Sequence, residues 1–111
     1  MAQTNMFSKG MPATLSLTLS AFGENLKTAR KRRKLSLQQV ADKLGVGVRS
    51  VMDAEKGKPT TAVSTYMGLL WVYGLLGGMK GVADPLKDAE GIRLAAARKK
   101  KTIKSELDND F

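Results

Sequence analysis

Between Ser36 and Gly57 the chain reads SLQQVADKLGVGVRSVMDAEKG, and this stretch allows few arrangements. Ser36 is a good N-cap, and Gln39 three residues on completes a capping box. Leu37, Val40, Ala41 and Leu44 then share the buried side of a short helix. Gly45 stops that helix as a left-handed C-terminal residue. A second helix starts near Gly47 or Val48 and ends at Gly57, so only a tight turn fits between the two. On the second helix Val51 and Ala54 point one way, into a core. Arg49, Met52, Asp53 and Lys56 lie on the opposite stripe at i, i+3, i+4 and i+7.

Two short helices joined by a Gly-containing turn of about three residues make a helix-turn-helix arrangement. The flanks extend it to a five-helix, all-α domain. Phe22, Leu26 and Ala29 at i, i+4 and i+7 predict a first helix from about Ser20 to Arg33. Pro59 blocks continuation of the third helix, and Thr60 or Thr61 can cap a fourth. There Val63, Tyr66, Met67, Leu70 and Tyr73 form an apolar series that Gly74 ends. Leu75 to Ala83 reads as a short fifth helix weakened by three glycines. Asp84-Pro85 is a turn, Asp88 to Arg98 a frayed final helix, and residues 99–111 a basic, polar tail. Leu15, Leu17 and Leu19 alternate with Ser16 and Thr18, so an extended segment or a helix start is expected there. The expected organisation is a flexible arm over 1–13, a helix-turn-helix domain over 14–83, and a C-terminal extension and tail over 84–111.

Composition narrows the chemistry. There is no cysteine and no histidine, which excludes thiolate sites and the commonest general base and metal ligand. The net charge is +9, of which residues 1–58 carry +7. Such a balance speaks about partners, nucleic acid first. Six basic groups crowd into Lys27 to Lys34. Leu75 to Lys80 lacks the P-loop pattern, and Asp84, Asp88 and Glu90 lack the spacing of a calcium loop. Neither catalysis nor a cofactor nor a metal is expected. Met67 to Met79 is too short to span a bilayer, and Met11 to Phe22 does not read as a leader, so a cytoplasmic, nucleoid-associated protein is expected.

Residues 22–76 resemble the lambda-repressor-like, XRE-type helix-turn-helix. Ala41 is the small residue at the helix contact, Gly45 is in the turn, and Val46 and Val51 take the apolar positions. Glu55-Lys56-Gly57 matches the family's Glu-Arg-Gly ending, and Arg30 its first-helix arginine. The resemblance implies that Arg30 pairs with Glu55 and that the third helix enters the major groove of DNA. Val48, Arg49, Ser50 and Asp53 would then reach base edges or adjacent phosphates. Arg49 suits a bidentate contact with guanine and Val48 a thymine methyl. Asp53 would accept from cytosine N4 or pin Arg49 through an i, i+4 pair. Ser36, Gln38, Lys56 and Lys58, with Lys27, Lys31 and Lys34 for phosphate, complete the candidates. Two positions depart from the family: Leu37 replaces a phosphate-binding Gln, and Gly47 replaces a Ser or Thr cap.

Leu75 to Leu94, LLGGMKGVADPLKDAEGIRL, also resembles the extension of HipB-type regulators, through Ala83-Asp84-Pro85, Asp88 and Gly91. This resemblance implies an autoregulatory antitoxin: a homodimer on double-stranded operator DNA that also binds a HipA-like serine/threonine kinase toxin, in some systems split into two proteins. The alternatives are an adaptor that mainly inhibits or scaffolds a kinase, and a phage or mobile-element repressor with no toxin partner.

Overall fold

A computed structural model describes residues 10–109, with side chains described through Leu107. Among the described residues five α-helices follow in order: α1 (Ala13–Arg32), α2 (Leu37–Leu44), α3 (Val48–Glu55), α4 (Val63–Val72) and α5 (Ala89–Asn109). A 3₁₀ turn over Leu76–Gly81 lies between α4 and α5. Among the described residues there is no strand, and no helix is long and apolar enough to cross a membrane. The chain divides into two compact units, Met1–Gly77 and Gly78–Phe111.

The core of the first unit is built where α1, α2, α3 and α4 meet. Leu26, Val40, Val51 and Leu69 are fully buried, with Ala29, Ala41, Ala54, Tyr66, Leu70 and Tyr73 around them. Phe22 stacks on Tyr66 with ring centroids 5.3 Å apart, which ties α1 to α4.

Helix α1 starts seven residues before the expected Ser20, and it replaces the extended segment weighed for Leu15 to Leu19. The reason is that Leu15 and Leu19 satisfy a spacing of four as well as a spacing of two. They continue the stripe of Phe22, Leu26 and Ala29 and are half-buried, whereas Leu17 is exposed. The Thr18 hydroxyl donates to the Thr14 carbonyl at 2.7 Å, as a helical threonine does. Of the expected arm, residues 1–9 lie outside the described residues, and Ala13 already begins the helix.

At the other end of α1, Lys34 takes a left-handed conformation (φ 55) and Leu35 N–H closes onto the Arg30 carbonyl at 3.2 Å. The cap of α2 forms as its sequence predicts: Ser36 Oγ accepts from Gln39 N–H and Gln39 Oε1 accepts from Ser36 N–H. Helix α4 does not use the predicted threonine caps. Its N-cap is Ala62, without a side-chain hydrogen bond. Its buried side is also rotated from the expected stripe, running through Thr65, Tyr66, Leu69, Leu70 and Tyr73, while Val63 faces outward. Because α4 is apolar on nearly every side, periodicity alone could not find its inner face.

Two corrections fall beyond α4. The fifth helix expected over Leu75–Ala83 is a 3₁₀ turn over Leu76–Gly81, because Gly77, Gly78 and Gly81 remove the side chains that would hold an α-helix. The expected tail is helical: α5 runs on to Asn109 rather than ending at Arg98. Ala95 to Ala97 and the lysines after them are strong helix formers, and the Asp88 carboxylate accepts from Gly91 N–H at 2.9 Å at its start. Among its described side chains none is buried. Phe111, the third apolar residue of the expected tail stripe, lies outside the described residues.

Candidate nucleic-acid interface

The turn between α2 and α3 sets the direction of the third helix. Gly45 adopts φ 70, ψ 32, and Val46 N–H reaches back to the Ala41 carbonyl at 3.1 Å. Gly47 is the N-cap of α3 in an extended conformation (φ −71, ψ 151), without a side-chain cap. Ala41 is completely buried and Val46 half-buried. These positions hold α2 and α3 together.

Helix α3 buries Val51, Ala54 and Glu55 and leaves the other side outward. Its orientation is fixed from below by an ion pair. Arg30 Nε donates to Glu55 Oε2 at 2.6 Å, Nη2 to Oε1 at 3.1 Å, and Nη1 to the Leu35 carbonyl at 3.0 Å. One buried arginine thus joins α1, α3 and the α1–α2 loop through a bidentate fork. The hydrogen bond to Glu55 raises the Arg30 pKa above its ordinary value, against the opposing effect of burial.

On the outer side Arg49 is 75% exposed at the side chain. Its Nε lies 3.5 Å from Asp53 Oδ1, and Lys58 Nζ lies 3.3 Å from the same oxygen. Asp53 is thus held between two cations, and that oxygen is shielded from solvent. Val48 and Ser50 are half-buried on the first turn of α3, and Lys56 is exposed beyond its end. Lys56 and Lys27 line one groove of about 440 Å³ together with Leu37 and Met52, above the Arg30–Glu55 pair. Ser36 is exposed, and its hydroxyl oxygen is engaged as the α2 cap. Gln38 is exposed and donates to Asp42 Oδ1 at 2.8 Å. Lys31 and Lys34 stand exposed at the C-terminal end of α1, and neither lines that groove.

Arg30 is not the only committed cation of the basic run. Arg33 donates to the Ala29 carbonyl at 3.0 Å and to the Tyr73 carbonyl at 2.9 Å, with its guanidinium 5.6 Å from the Tyr73 ring centre. Its place within a dense charge run hid this role. Gly23, on the buried side of α1, was also missed, although a glycine in mid-helix is itself a signal of close approach.

Tyr73 closes the core behind the ion pair. Its hydroxyl is buried without a hydrogen-bond partner among the described residues, and burial pushes its pKa up to about 12. Burial also raises Tyr66, whose hydroxyl donates to the Lys58 carbonyl at 2.7 Å. The folded protein therefore favours neutral Tyr73. Stability should hold below about pH 10, where free tyrosine ionises, and fall as pH rises toward 12, by roughly 2–3 kcal/mol for Tyr73 alone. The Tyr73 step of the tyrosinate titration should fall about two pH units higher in native than in denatured protein. Coincident titrations would contradict this packing.

Residues 26–69 match a family model described as helix-turn-helix. No curated protein and no solved structure matches the chain at a significant level. The matched segment runs from the buried Leu26 of α1 to the buried Leu69 of α4 and contains the whole α2–turn–α3 unit. The first unit has an all-α, lambda-repressor-like helix-turn-helix fold, and its matched segment is similar to the helix-turn-helix domains of DNA-binding transcriptional regulators.

Proposed function

We propose that the chain is a sequence-specific, dimeric repressor that inserts α3 into the major groove and blocks a promoter. The observation that carries this reading is the outer side of α3. Arg49 is extended into solvent there, while the opposite side is anchored by Val51, Ala54 and the Arg30–Glu55 fork. Arg49 is assigned to guanine, Val48 and Ser50 to neighbouring bases or phosphates, and Asp53 to holding Arg49 in place. Lys27, Lys31, Lys34, Lys56 and Lys58, with Ser36 and Gln38, are assigned to the phosphate side. A net charge of +9 favours that contact and requires its salt dependence.

The test is selection of duplexes from a random pool, followed by titration. The expected site is a palindrome whose half-sites lie about 10 bp apart or a multiple of that. Arg49→Ala should weaken cognate binding by about 1–3 kcal/mol and relax the preference at one base pair. Lys31→Ala should weaken cognate and random duplexes alike and reduce the salt slope by up to about 1. An unchanged base preference in Arg49→Ala would sink the assignment.

The finer reading is an autoregulatory antitoxin, cytoplasmic and nucleoid-associated, whose C-terminal extension binds a HipA-like kinase. Its support is the Leu75–Leu94 resemblance together with α5, a long helix whose Ile92, Leu94, Ile103 and Leu107 are all about half exposed. Deleting residues 102–111 should leave folding and DNA binding close to wild type and weaken capture of a co-encoded kinase. Equal capture by both proteins would leave residues 102–111 without a part in that binding. Strong capture without any duplex preference would favour the adaptor.

A further inference from the structure

We infer that the outer face of α4 is a self-association surface, on which two copies cross antiparallel about Met67. Three observations lead there. First, Pro59 to Met79 holds no charged residue in a chain of net charge +9. Second, α4 is apolar on its outer side as well as its inner one: Val63 is 69% and Trp71 63% exposed, with half-buried Met67 between them. A helix that is apolar all round is normally covered on all sides. An aromatic and several aliphatic side chains so placed exceed the scattered exposure normal for a monomer surface.

Third, the spacing is self-complementary. Val63, Met67 and Trp71 fall at i, i+4 and i+8, symmetric about Met67. In an antiparallel crossing Met67 meets Met67 on the two-fold axis, and Trp71 of one copy reaches Val63 of the other. Such an isologous contact is how most closed dimers form. Beside Val63 lies a groove of about 210 Å³ lined by Leu15, Leu19, Pro59, Thr61, Val63 and Tyr66, without a charged side chain and large enough for an indole. At the other end Lys43, with Trp71 and Val72, lines a separate cavity, so Lys43 borders the stripe at its Trp71 end.

Charge selects the occupant. DNA has nothing to hold on an uncharged stripe, because phosphate contact dominates its binding. Self-pairing through α5 would bring Arg98, Lys99, Lys100 and Lys101 of two copies together. The neutral α4 stripe lets two strongly basic chains approach without that repulsion. The inference supplies the dimer that the proposed operator reading uses, but its test needs no DNA.

Trp71 is the sole tryptophan and the chain has no cysteine, so two clean probes exist. Light scattering of the full chain should move from one 12.0 kDa chain toward two as concentration rises. Trp71 emission should shift to the blue over the same range. Val63→Glu should abolish both changes while its circular dichroism stays that of the folded protein, since Val63 is mostly exposed. Under mild oxidation Met67→Cys should cross-link to itself. Val63→Cys and Trp71→Cys should each remain single and cross-link when mixed. A single-chain mass at every concentration, a dimer that survives Val63→Glu, or self-linking of Val63→Cys as readily as Met67→Cys overturns the inference. A dimer of this kind that shows no duplex preference would sink the operator reading and leave this one standing.

Discussion

Glu55→Ala is expected to lower folding stability by about 3–5 kcal/mol, the usual consequence of removing one partner from a buried ion pair. The Arg30 and Glu55 side chains are only 11% and 7% exposed. Without the carboxylate, Nε and Nη2 of Arg30 lose their acceptors and only the Leu35 carbonyl remains. The guanidinium cannot shed its proton to escape, because arginine stays charged at any ordinary pH. The loss is therefore larger than the net worth of the pair. The double variant Arg30→Met, Glu55→Leu should recover most of the stability, since no charge is then left stranded. Urea denaturation of the four proteins in this cycle measures the effect. A Glu55→Ala midpoint equal to wild type would show the pair to be solvated and would remove the proposed anchor of α3.

That pair was legible in the sequence through the resemblance of Arg30 and Glu55-Lys56-Gly57 to a known motif. The α2 cap, the Gly45 turn and the burial of Val51 and Ala54 were legible from local chemistry alone. Caps and turns act within four residues, so their signals are complete in the chain. What was missed depended on neighbours far along the sequence. Leu15 and Leu19 fit two periods, and only the packing of α1 against α4 decides between them. The inner face of α4 could not be read because its outer face is just as apolar. Arg33 resembles its solvated neighbours until the Tyr73 carbonyl is placed beside it. The helical course of residues 99–109 was hidden by polarity, which argues against burial but not against helix. Among the candidate contacts, Asp53 is the residue whose surroundings sequence left most open, and the structure sets it between Arg49 and Lys58.

Gly23→Ala should be the other severe variant, and the sign of its effect is informative. On helix propensity alone, alanine in the middle of α1 would stabilise by about 1 kcal/mol. The backbone of α3 opposes it. A Cβ on Gly23 would lie 2.5 Å from the Glu55 carbonyl oxygen and 2.7 Å from both the Ala54 carbonyl oxygen and the Gly57 nitrogen. Every one of these atoms is main chain, so no side chain can turn away and the two helices must separate. The contact has glycine on both sides: a Cβ on Gly57, which sits at φ +69, would run into the backbone of Leu19 and Ser20. Separation would also stretch the Arg30–Glu55 bonds, which cross the same interface. A net loss of about 3 kcal/mol or more is expected, in the range of overpacked cores. Gly45→Ala is the control. Gly45 has φ +70 with nothing within 4 Å of its Cβ, so it should show only the left-handed penalty of about 1–2 kcal/mol. Chemical denaturation of the two variants beside wild type separates close approach from backbone conformation. Gly23→Ala protein as stable as wild type would mean that α1 and α3 do not touch backbone to backbone. The Arg30–Glu55 fork would then be the main device holding α3 for DNA.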